Sequence, residues 1–151
     1  MIDVGIRDAG GGGSAARVSP VGQLVVGPYA FDKSVFLELD ATGTAFNFYA
    51  PVASAQFVVT GLRIKANRDV SATTDAEVVV YEALSATETT VAEIVHEEAL
   101  IRGESATLLP LNRLVSPGRW INAKTTDASI FVTVFGYYVP VLGINPDAIP
   151  V

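Results

Sequence analysis

The chain has no cysteine and a single histidine among its 151 residues. Without a thiol there is neither a disulfide nor a thiolate metal site. One imidazole leaves few ways to build a Ser-His-Asp or Cys-His catalytic group, or a zinc centre that needs three or four ligands. The lack of cysteine fits synthesis in a reducing cytosol. Charge is scarce too. Only 17% of residues are charged, against about 25% in an ordinary soluble domain, so much of an isolated molecule's surface is expected to be covered in use. The net charge of −6 argues against nucleic acid as the main partner, because binding a phosphate backbone needs a basic footprint. No apolar run reaches the ~20 residues of a membrane-spanning helix, so no membrane partner is expected. The stretch Met1 to Asp8 has no basic region followed by an apolar one and does not read as a signal peptide. The run Gly10 to Gly13 is followed by Ser14-Ala15-Ala16 rather than Lys-Ser/Thr, and it is flexible chain rather than a phosphate loop.

The strongest positive signal is Ile130 to Val139, β-branched and aromatic almost throughout, which is the composition of a strand. Alternation sorts Ile130, Val132, Val134, Gly136 and Tyr138 to one face and Phe131, Thr133, Phe135, Tyr137 and Val139 to the other. Both faces are apolar. A strand with one wet face alternates apolar and polar, so this one belongs in the middle of a sheet with both sides covered. One cover is a second sheet. The other is the chain's own arm or another subunit.

The rest reads as an extended arm, a sandwich and a tail: residues 1–33, 34–139 and 140–151. In the arm, Arg17-Val18-Ser19-Pro20-Val21-Gly22-Gln23-Leu24-Val25-Val26-Gly27-Pro28-Tyr29 is apolar but broken by proline and glycine, so it is extended chain or an edge strand. It lies on its own sandwich or crosses to a neighbour. From Ser34 onward come short strands separated by turn signals. Val35, Leu37 and Leu39 alternate with Phe36 and Glu38, and Asp40 to Gly43 is a turn. Phe46 and Phe48 alternate with Asn47 and Tyr49. In Gln56 to Ala66 the pair Phe57 and Val59 is out of phase with Leu62 and Ile64. A bulge at Gly61 would return all four to one face and leave Arg63 and Lys65 in water. Glu77 to Ala83 is a further strand. Residues 87–103 fit helical spacing at Val91, Ile94 and Val95, but their β-branching and the need for a partner strand favour β. Thr107 to Leu114 is an edge strand marked by Pro110, and Arg119 to Thr125 precedes the central strand. Eight short strands or so with no helix suit an all-β, antiparallel, jelly-roll-like sandwich of two sheets.

Candidate chemistry is thin. His96 with Glu98 on one strand face reads as a solvated acidic segment rather than a metal site. Asp69, Asp75 and Glu77 have no calcium-loop spacing. The sixteen acids single out no pair for glycoside hydrolysis. No cofactor and no catalysis are expected. Most of the tyrosines belong in a core or interface, whereas Trp120, beside Asn122 and Lys124, is a candidate platform for a sugar.

The arm from Arg17 to Val25 with Gly27-Pro28-Tyr29, together with Gly136-Tyr137-Tyr138-Val139-Pro140, resembles small virion proteins of tailed bacteriophages that decorate or cement the head. The likeness covers Arg17 to roughly Val141. It implies a homotrimer on the outer surface of the capsid, made in the host cytoplasm and bound across joints between major capsid protein subunits. It carries no catalytic residues. The contacts to neighbours are then expected at Val18, Val21, Leu24, Val26, Tyr29 and Phe31 of the arm and at Phe135, Tyr137 and Tyr138 of the final strand. The alternative is a carbohydrate-binding or host-recognition module of a head fibre or tail, with Trp120 as its platform.

Overall fold

The computed structural model describes residues 33–53 and 55–140. They form nine strands and no helix: β1 (Lys33–Leu39), β2 (Phe46–Tyr49), β3 (Ala55–Ala66), β4 (Ala76–Ala83), β5 (Glu93–Leu100), β6 (Ser105–Leu108), β7 (Arg113–Leu114), β8 (Trp120–Thr125) and β9 (Ile130–Pro140). All pairings are antiparallel. One sheet has the order β1-β9-β3-β6, with β7 also on β3, and the other β2-β8-β4-β5. The expected edge strand from Thr107 to Leu114 is in fact two. The ladder to β3 is interrupted between Leu108 and Arg113, where Pro110 has no N–H to give, although the Leu111 N–H still donates to the Thr60 carbonyl at 2.8 Å. Taken as one interrupted strand, β6 and β7 make the count eight. The first strand then pairs with the last, the second with the seventh, the third with the sixth and the fourth with the fifth. That is a single long hairpin folded over on itself, the jelly-roll arrangement.

The core lies between the two inner faces. Leu39, Val59, Leu62, Ile64, Ile130, Val132 and Val134 from the first sheet meet Phe48, Val78, Val80, Ile121 and Ala123 from the second. As expected of a central strand, β9 is bonded to β1 on one side and to β3 along its whole length on the other. The register between β3 and β9 shifts between Val59 and Gly61, where Thr60 is the additional residue. Phe57, Val59, Leu62 and Ile64 all face inward, and Arg63 and Lys65 are exposed.

Two further bulges alter the simple alternation. Asn47 pairs with Asn122 and Tyr49 with Ile121, so Phe48 is the extra residue and Tyr49 turns into the core rather than sharing a face with Asn47. Val80 pairs with His96 and Tyr81 with Ile94, so Val95 is extra on β5 and is buried. Ile94 beside it is exposed on the opposite face, so the spacing that imitates a helix belongs to a bulged strand.

Rings close one end of the sandwich. Tyr49 stacks on Phe57 at 3.9 Å between centroids, and Tyr138 meets Phe57 edge-on at 5.0 Å. The Tyr49 hydroxyl donates to the Val134 carbonyl at 3.0 Å and the Tyr138 hydroxyl to that of Ala50 at 2.8 Å, each crossing between sheets. Gly136 makes room for this. A Cβ there would lie 2.2 Å from the Val58 carbonyl oxygen and 2.3 Å from Cζ of Phe57.

Gly136→Ala should therefore cost about 1–3 kcal/mol through overpacking against backbone that cannot step aside. Thr60 offers the opposite sign. Its hydroxyl is buried and has no hydrogen-bond partner among the described residues, so Thr60→Val should be neutral or should stabilise by about 1 kcal/mol. Urea denaturation midpoints check both, and equal shifts in one direction would refute the account of this ladder.

Candidate functional site

The outer face of the first sheet is built by the odd residues of β9. Across the register, Phe131 stands between Glu38 and Lys65, Thr133 between Phe36 and Arg63, and Phe135 between Ser34 and Gly61. Tyr137 pairs with Val58, which in turn pairs with Leu114. Phe36 is 60% exposed and stacks on Phe131 at 5.6 Å. Leu114 is 51% exposed. Leu109, from the β6–β7 connection, folds over Gly61, where a Cβ would meet its Cδ2 at 2.1 Å. An apolar and aromatic surface thus runs from Phe36 across Phe131 and Phe135 to Tyr137, Leu109 and Leu114, with Val58 buried among them and Glu38, Arg63 and Lys65 flanking one half. Phe131, Phe135 and Tyr137 are half-buried. The expectation that β9 is apolar on both faces therefore holds, and its outer face is the less covered of the two.

The expected contact residues fall in three places. Phe135 and Tyr137 are on this outer surface. Tyr138 is not: it points to the inner face and packs against the core, with its hydroxyl engaged by Ala50. Val18, Val21, Leu24, Val26, Tyr29 and Phe31 lie outside the described residues. Sequence reasoning did not single out Phe36, Phe131, Leu109 and Leu114. A signal for Phe36 was present, since an aromatic ring opposite Val35, Leu37 and Leu39 occupies a position where a wet face would carry a polar residue.

The outer face of the second sheet has a different character. Its central polar residue is Asn122, which is fully buried beneath the β4–β5 connection. Asn122 donates from Nδ2 to the carbonyls of Ser85 at 3.0 Å and Glu88 at 3.2 Å, and its Oδ1 accepts from Asn47 at 2.9 Å. The Tyr81 hydroxyl donates to the Glu88 carbonyl at 2.7 Å, and Lys124 donates to that of Thr89 at 3.0 Å. Trp120, half-buried, pairs with Ala83. Its expected neighbours Asn122 and Lys124 are both engaged by the connection.

The β5 edge carries several acidic groups. His96 and Glu98 share a face, with Nε2 and a carboxylate oxygen 3.2 Å apart. Arg113 of β7 pairs with Glu93 at the start of β5, an ion pair joining the edges of the two sheets. Among the described residues no three carboxylate or imidazole groups, Asp69, Asp75 and Glu77 included, come together as ligands for a metal ion.

Burial of the phenols sets the alkaline behaviour. Desolvation pushes both Tyr81 and Tyr138 above the ordinary value of 10.0, and for Tyr81 a side-chain hydrogen bond with Asn122 offsets part of the rise. A pKa raised in the folded state gives stability that is complete below pH 10 and is lost as pH climbs through the folded values. The phenolate absorbance of the native protein should therefore lag behind that of the urea-unfolded chain above pH 10, with Tyr81→Phe and Tyr138→Phe each removing part of the lag. Coincident titration curves would contradict it. A scan of the chain against protein-family models finds no match, and a search of curated proteins finds no significant relative.

Proposed function

We propose that this protein is a structural component of a virion, a homotrimeric jelly-roll sandwich that decorates and cements a tailed-phage head across joints between major capsid subunits, and that it performs no catalysis. The observation that carries the proposal is the apolar outer face of β1-β9-β3. An isolated sandwich gains nothing from rings such as Phe36 and Phe131 stacked toward solvent, and contiguous exposed apolar surface marks an interaction site. The face lies on the sheet that contains β1, and β1 begins at Lys33, the last residue of the stretch that reads as an arm in the sequence. The low proportion of charge and the likeness of the arm and final strand to head-decoration proteins point the same way. A threefold ring also closes on itself, which limits assembly to a finite particle instead of a fibre. The carbohydrate-binding alternative loses support from the engagement of Asn122 and Lys124 beside Trp120.

Solution mass by light scattering over a dilution series, followed by mixing with undecorated capsids, tests the reading. The intact protein should be a trimer. Phe36→Asp should lower the mass toward the monomer and weaken capsid attachment by about tenfold or more, the loss of one well-packed aromatic contact. Ala99→Asp, at an exposed position on the other sheet, should change neither. An unaltered mass and unaltered attachment for Phe36→Asp would end the assignment of this face. Removing residues 1 to 32 should leave the sandwich folded but abolish attachment, and retention of full attachment would show that the arm is not a capsid contact.

A further inference from the structure

The outer face of the second sheet holds a groove of about 670 Å3, within the range of sites that bind small ligands or a few residues of peptide. Val79 is its floor. In register with Val79 stand Lys124 on β8 and Glu97 on β5. Glu77 lies two residues along β4, and Val91 and Ile94 form the wall beside the β4–β5 connection. Glu97 is one strand spacing from Val79, about 4.8 Å, and Glu77 about 7 Å along the strand. Both carboxylates therefore border the same apolar floor.

The charges are not balanced within the groove. Lys124 is the one cation of the lining, and it is already engaged, donating to the Thr89 carbonyl and lying 5.5 Å from the centroid of the Tyr81 ring. Neither Glu77 nor Glu97 has an ion-pair partner among the described residues, and both are exposed. The apolar part is accessible as well, with Ile94 47% exposed. Two classes of ligand fit poorly. Phosphate would face two carboxylates. A sugar would find no aromatic face to stack on, since Tyr81 is fully buried and Trp120 is not part of the lining. The lining matches a cation carried between apolar groups. It also adjoins β5, the terminal strand of its sheet among the described residues, whose outer backbone edge can add one more extended strand.

We propose that this groove binds an extended peptide segment of a partner protein in which one arginine or lysine is flanked by β-branched residues. The cation reaches Glu77 and Glu97, and the flanking side chains cover Val79, Val91 and Ile94. The site lies on the sheet opposite the aromatic surface and stands independently of the proposed place in a virion.

The test uses the full-length protein with labelled methyl groups and a capped Val-Arg-Val tripeptide as probe, followed by NMR. Saturable shifts are expected at the methyls of Val79, Val91 and Ile94. The core methyls of Val78 and Val80 should stay in place. Glu77→Gln and Glu97→Gln should each weaken binding, by up to about fivefold for an exposed ion pair, and added salt should weaken it further. Val-Glu-Val should not bind. The proposal is overturned if Val-Arg-Val produces no saturable shift, if Val-Gln-Val and Val-Glu-Val bind as well as it does, or if the shifts appear on the first sheet instead.

Discussion

The ladder between β3 and β9 is the constraint on which the rest of the fold depends. It is the longest pairing among the described residues, from Ala55 opposite Pro140 to Ala66 opposite Ile130. Both strands must keep their apolar residues on the inner face over that whole length. A slip of one residue would move every side chain of one strand to the wrong side. The bulge at Thr60 absorbs the phase change inside β3, and Gly136 and Gly61 remove side chains where neighbouring groups pass too close for a Cβ. Because Gly136 is bare, Phe57 can lie flat under Tyr49, and the Tyr49 hydroxyl can cross the core to the Val134 carbonyl. The two sheets are thus fastened at one end by groups whose position follows from the register of the ladder.

The legible parts of the sequence were those in which hydrophobic pattern and backbone chemistry agreed. The central place of β9 followed from apolar residues on both faces, and the bulge near Gly61 from the phase break between Phe57-Val59 and Leu62-Ile64. The turn at Gly43 was signalled by Asp40 and Thr42. The less legible parts are adjacent apolar pairs inside strands, Phe48-Tyr49 and Ile94-Val95. At the first, a bulge turns both residues into the core, where strict alternation would send one to solvent. At the second, a bulge adds Val95 to β5 and buries it, while Ile94 stays exposed on the opposite face. Without a glycine to mark them, the first pair reads as ordinary alternation and the second as helical spacing. The split of the β6–β7 edge was half visible, since Pro110 declared an edge but not the interruption of its ladder.

The candidate surfaces were less legible than the fold, because alternation says which residues share a face but not what lies above it. Trp120, Asn122 and Lys124 do share a face of β8. Only the β4–β5 connection, with the carbonyls of Ser85, Glu88 and Thr89 turned down onto it, decides that Asn122 is buried. A connection of polar composition gave no sign that it would fold back over its own sheet. On the other sheet, Phe36 and Leu114 come from strands far apart in sequence, and they join Phe135 and Tyr137 in one surface only through the pairing of β1 and β7 with their neighbours.

A jelly roll by itself names no activity, since the arrangement serves capsids, lectins and enzymes alike. The difference between its two outer faces is more informative. One bears stacked rings next to the strand into which the arm leads. The other is drawn over by a connection anchored on Asn122 and Tyr81, and it ends at an acidic edge where His96 and Glu98 point toward the inner side of β5. Charged groups at an edge oppose pairing with another copy of the same sheet, since a second β5 would bring Glu93, Glu97 and Glu98 against their own kind. The same charges favour a basic strand at that place. On the proposal that the protein assembles, the aromatic face is the surface for self-association and the acidic edge the surface for a partner of opposite charge.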